Sequence, residues 1–158
     1  MAEIVWAAGA AHTGAMMREP TGGEDQQRAQ RVFAGFGELG ERLRASRPDV
    51  IVTVGTDHFH TFFYDKLPIF AIGTGRKFSG WGEFGVPQRH FRGLPELAEA
   101  VHASLVHDGF DVASARDMKV DHAFACPLQL LMRDWDAPIL PVYVNCTIPP
   151  LPSFRRCC

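Results

Sequence analysis

The run Val50-Ile51-Val52-Thr53-Val54 constrains the fold of this chain more than any other segment. Consecutive β-branched residues are poor helix formers and suit a strand covered on both faces of a sheet. The segment before it has a different period. Across residues 23–46, Val32, Phe36, Leu39 and Leu43 recur at three- and four-residue spacing among Gln, Glu, Arg and Ala. That pattern predicts a helix with one apolar face, weakened but not overturned by Gly35, Gly37 and Gly40. Pro48-Asp49 separates helix from strand.

The same alternation continues along the chain. Residues 3–8 read as a buried N-terminal strand opening into a loop that holds His12. Residues 69–72 read as another strand, and residues 78–91 as a Gly- and aromatic-rich loop. A helix is expected from Leu94-Pro95-Glu96 to His107, stopped by Asp108-Gly109, followed by a short strand over residues 110–115. Residues 123–132 read as helical, with Pro127 imposing a late start or a kink, and residues 139–144 as a last strand broken by Pro141. Beyond the Pro-rich residues 148–152 no helix or strand is expected. Strands alternating with helices predict an α/β fold, a central mostly parallel or mixed sheet with helices on both faces.

Length and charge narrow the function. The 158 residues match one domain, 1–158, with a folded surface of roughly 7,900 Å² and a core that needs no metal or disulfide to hold it. A metal here would therefore call for a functional explanation. A formal charge of −2 with scattered Lys and Arg offers no field for nucleic acid. No apolar run is long enough for a bilayer and no basic region precedes an apolar one at the N-terminus, so a cytoplasmic protein without membrane partners is expected. Cys126, Cys146, Cys157 and Cys158 lack zinc-ribbon spacing and are expected as reduced thiols. The sequence Gly73-Thr74-Gly75-Arg76 reads as a turn, since it lacks the residues of a phosphate loop, and no nucleophile elbow occurs.

Ligands of α/β sheets bind beyond the carboxyl ends of the strands. His12, His58 and His122 each follow a predicted strand, and Asp57 and Asp121 precede the latter two directly. A lone histidine in such a place usually serves only its loop, but three at equivalent strand ends suggest a metal site. A neighbouring carboxylate can set the tautomer of an imidazole ligand. Imidazole suits iron and zinc alike, and spacing leaves the two unresolved. His60 is a candidate for the substrate side of the site, although solvent exposure is the default. His102 and His107 are expected on a helix surface, and His90 in the aromatic loop is a candidate to face a ligand. Cys126 reads as a buried helical thiol. Trp81, Phe84 and Phe91 can wall a pocket or anchor their loop.

Taken in order, Ala11-His12-Thr13, Asp57-His58 with Phe62 close behind, residues 69–73 and Val120-Asp121-His122 leading into Pro127-Leu128 resemble the class III extradiol ring-cleaving dioxygenases. The resemblance runs from about residue 4 to 150. It implies a mononuclear Fe(II) held by two histidines, matched by His12 and His58, and by a glutamate for which this sequence has no match. It further implies that His122 and Asp121 belong to the catalytic machinery, with His122 lining the substrate pocket and assisting proton transfer. The substrates implied are a catechol-type, protocatechuate-like ring and O₂. By that comparison the domain is truncated at its C-terminus, which leaves three alternatives: a site completed by a second copy or subunit, a catalytically incomplete interaction subunit, or a zinc-binding relative. Apolar faces left uncovered would favour a homo-oligomer.

Overall fold

A computed structural model describes residues 2–17, 22–80 and 82–157, with backbone only at 15 and 16. After an irregular N-terminal segment come a 3₁₀ turn (Gly14–Met17) and the long helix α1 (Gly23–Ala45). Glu24 and Asp25 stand in the first turn of α1 and Arg42 and Arg44 in the last, each charge opposing the helix dipole. The chain then forms β1 (Ile51–Gly55), β2 (Phe70–Gly73), β3 (Lys77–Gly80), β4 (His90–Arg92), α2 (Pro95–His107) and β5 (Val112–Ala115). It ends with β6 (Lys119–Val120), α3 (His122–Leu131), β7 (Ile139–Val144) and the short α4 (Phe154–Cys157).

The fold is α/β with a mixed sheet, as expected. Its order is β1-β7-β2-β5, with β1 parallel to β7, β7 antiparallel to β2, and β2 parallel to β5. Alternate residues serve opposite faces. Ala71, Ile139 and Tyr143 join Phe124 and Leu128 of α3 in the larger core, and α1 packs behind α3. On the other face Ile72 and Leu140 meet Ala98 and Val101 of α2. A smaller sheet, β4-β3-β6, carries Val120 and so delivers Asp121 and His122 to the site.

Several expectations are corrected. Residues 2–13 form no strand, and Ile4 and Val5 are exposed, because no neighbouring strand accepts their backbone groups. Strand β1 is an edge strand, and α2 lies over β2 and β5, so Val52 and Val54 face solvent instead of a second layer. The aromatic loop over residues 78–91 contributes β3 and β4. Proline does not break β7: Pro141 pairs in register with Thr53, and the antiparallel ladder to β2 ends one step earlier, at Ile72↔Val142, where the missing N–H costs nothing. Helix α3 starts at His122, ahead of Pro127, because Asp121 caps it by accepting from the Ala123 N–H at 2.9 Å. A four-residue helix stands where none was expected after residue 152.

Candidate metal centre

Strand β1 ends at Gly55 and leads into Thr56 and Asp57, both buried. The Asp57 carboxylate turns inward and accepts the backbone N–H groups of His60, Thr61 and Phe62 at 3.1, 3.0 and 2.9 Å. Phe59 takes a left-handed φ of 63°, and the resulting tight loop presents His58. Asp57 therefore shapes the loop and does not hold the ring of its sequence neighbour.

The ring of His58 is held from 63 residues away. Oδ2 of Asp121, which has no exposed side-chain surface, accepts both the His58 backbone N–H and Nδ1–H at 2.7 Å. An ionised carboxylate only accepts, so the proton sits on Nδ1 and the lone pair on Nε2. His122 is held in the same way by a residue that sequence reasoning missed. Oε1 of Glu83 accepts the His122 backbone N–H at 3.0 Å and Nδ1–H at 2.6 Å. The only signal of Glu83 in the sequence is an acid placed within an aromatic, Gly-rich loop.

His12, from the N-terminal segment, completes the cluster. Its ring centroid lies 5.5 Å from that of His58 and 5.8 Å from that of His122, while the rings of His58 and His122 stack at 4.2 Å. One ring nitrogen from each of the three comes within 4.8 Å of the others. Three imidazoles that each offer one nitrogen to the same space form a donor set whose chemistry suits a divalent cation. The 4.2 and 5.8 Å pairs would shift toward the about 4.5–5.5 Å spacing of rings that share one ion at about 2.1 Å. His12 is held below its ordinary pKa, first by burial and then by His58 and His122, partly offset by Asp121. A neutral His12 is the form that binds metal. Glu83 is also held low: burial alone would raise it, but the hydrogen bonds and charge of His122, with the charge of His60, outweigh burial.

The other candidates separate. His60 is not a solvent residue. Its side chain is 14% exposed, with Nε2 3.6 Å from Glu83 and Nδ1 3.6 Å from Asp121. His102 bonds the Val112 carbonyl at 2.8 Å, His90 contacts Ser79, and His107 is exposed at the end of α2. Phe84 meets His122 edge-on at 5.0 Å and walls the site, whereas Phe91 is a core residue. Trp81 and Cys158 lie outside the described residues. Cys126 is buried in α3, its thiol pushed up to about 11 by burial first and then by Glu83 and Asp121. Among the described residues, no helix is long and apolar enough to cross a membrane.

A mixed α/β domain with strand-end imidazoles oriented by carboxylates is a scaffold suited to metal-assisted chemistry. The chain belongs to the family described as the catalytic LigB subunit of aromatic ring-opening dioxygenase, whose model matches residues 6–158. It is 40% identical over 116 residues to 2,3-dihydroxyphenylpropionate/2,3-dihydroxicinnamic acid 1,2-dioxygenase 2 of Pseudomonas putida, covering 73% of this chain and 36% of that protein. It is 39% identical over 117 residues to 2,3-dihydroxyphenylpropionate/2,3-dihydroxicinnamic acid 1,2-dioxygenase of Escherichia coli O139:H28, again 73% of this chain and 37% of the relative. The match thus spans little more than a third of the length of these relatives. The family resemblance carried by the histidine motifs is borne out.

Proposed function

We propose that this chain carries the metal-binding part of an extradiol dioxygenase that opens the ring of a catechol-type substrate with O₂. The observation that carries this reading is the convergence of His12, His58 and His122 in a chain of the LigB family. His12 and His58 would hold a non-haem Fe(II). Such an ion would supply a template for catechol and O₂ and a route for electrons between them.

The chain's own residues do the rest. Asp121 orients His58 through Nδ1 and keeps Nε2 available. His122 accepts the proton of a catechol hydroxyl at its free ring nitrogen and returns it later, the general-base role that a neutral imidazole performs near pH 7. Phe84 stands edge-on to His122 and would pack against the substrate ring. The names of the relatives favour a 2,3-dihydroxyphenyl alkanoate over a protocatechuate-like ring.

The test is to load the purified chain with Fe(II) without air and add 2,3-dihydroxyphenylpropionate, protocatechuate, gallate or catechol in aerated buffer. Oxygen uptake with a yellow ring-opened product is expected, most strongly with the first substrate. His12→Ala and His58→Ala are expected to lose iron and turnover together. A chain that binds no iron and consumes no oxygen while a full-length relative reacts overturns the reading. Elemental analysis at native metal loading separates iron from zinc.

A further inference from the structure

Two carboxylates in this site do the same thing. Asp121 takes the backbone N–H and Nδ1–H of His58 on one oxygen, and Glu83 takes the backbone N–H and Nδ1–H of His122 on one oxygen. Accepting both donors of one residue fixes that side chain in a single rotamer and its ring in a single tautomer.

The loop that carries Glu83 is itself pinned. Gly82, Phe84 and Gly85 all take left-handed φ angles of 78°, 54° and 84°, and the Val86 N–H closes a turn on the Glu83 carbonyl at 2.8 Å. Phe84 sits so close to the segment after His12 that a Cβ on Gly14 would fall 2.4 Å from it. The Glu83 side chain is 17% exposed, and its second oxygen faces His60 at 3.6 Å. A non-glycine residue in the left-handed region is strained, and such strain persists only where the surroundings impose it.

We propose that Glu83 is a positioning residue: it locks His122 as the Nδ1–H tautomer, so that Nε2 is the lone-pair nitrogen presented beside His12 and His58. Glu83 acts through His122, taking its backbone N–H and Nδ1–H on one oxygen, while its other oxygen faces His60. The use of that lone pair as a proton acceptor rests on the ring-cleavage reading, whereas the tautomer itself does not.

Long-range ¹H–¹⁵N correlation spectra of the full ¹⁵N-labelled, metal-free chain read the tautomers directly, at about two pH units above the ordinary histidine value. Both His58 and His122 are expected as Nδ1–H. Glu83→Ala should move His122 toward the Nε2–H form that free imidazole favours, while His58 keeps its signature and reports an intact fold. Glu83→Gln should restore Nδ1–H, because the amide oxygen still accepts. If Glu83→Ala fails to fold, Glu83→Met fills the same space without an acceptor and gives the same readout. A wild-type His122 in the Nε2–H form, or an Nδ1–H form that survives loss of the acceptor, overturns the assignment. In the iron-loaded chain Glu83→Ala should lower kcat by about 10–100-fold without loss of bound iron. A chain with the expected tautomers and no turnover overturns the ring-cleavage reading and leaves the role of Glu83 standing.

Discussion

Asp121 joins three pieces of chain. Its carboxylate takes the Ala123 N–H that starts α3 on one oxygen and both donors of His58 on the other, with no exposure of its own. Asp121→Ala leaves these donors buried or poorly paired and removes the helix cap, so it should destabilise the fold by about 2–4 kcal/mol in urea unfolding. Asp121→Asn should fold, yet weaken metal affinity about 10–100-fold by calorimetric titration. Unlike Glu83, Asp121 uses both oxygens, and the one amide oxygen cannot serve the Ala123 N–H and His58 together, so the His58 tautomer is no longer enforced. The acid side of the stability profile has contributions from both His12 and Glu83. His12 and Glu83 are both held below their ordinary values of 6.5 and 4.5, so the folded state binds fewer protons than the unfolded chain. Each contribution is complete above its unfolded value and is lost as pH falls through the lower folded value. Urea midpoints should therefore begin to fall below about pH 6.5 and fall further below about 4.5. His12→Ala should flatten the first part of that decline and Glu83→Gln the second.

Helix α1 reaches α3 through a glycine. A Cβ on Gly40 would lie 2.8 Å from the Leu131 carbonyl oxygen, a backbone atom that cannot swing away. Gly40→Ala should thus destabilise the chain by about 1–3 kcal/mol, as overpacking does. Gly35 and Gly37 face open space in the same helix, and Ala at either should stabilise by about 0.5–1 kcal/mol in the same urea measurement. The contrast was illegible in the sequence, where the three glycines look alike. The elements themselves were largely legible: α1, α2, β2, β5 and β7 stand close to their periodic or β-branched segments. The misplaced elements depend on a neighbour. Residues 3–8 have the composition of a strand and no partner to pair with, and the two-residue β6 exists only because β3 lies beside it.

Over the whole molecule the exposed area is 9860 Å², about a quarter above the roughly 7,900 Å² usual for this mass. Ile4, Val5, Val52 and Val54 account for part of that excess, at 87%, 53%, 56% and 67% exposure. An edge strand with an apolar uncovered face favours association. Sedimentation of the chain should accordingly show concentration-dependent self-association. Val52→Lys with Val54→Lys should reduce it while unfolding midpoints change by no more than about 0.5 kcal/mol per site, as expected for surface positions.

The sequence by itself determined the class of fold, through β-branched runs alternating with amphipathic segments, and the strand ends that His58 and His122 follow, whereas His12 comes from a segment with no strand. Local periodicity and turn chemistry are properties of neighbouring residues, so they can be read along the chain. Only the tertiary structure decided which carboxylate holds which imidazole. Asp57-His58 and Asp121-His122 look like two couples, yet Asp57 serves its own loop, Asp121 crosses to His58, and Glu83 takes His122. A hydrogen bond depends on distance and direction in space, and those are set where the two sheets and α3 meet, not by adjacency along the chain.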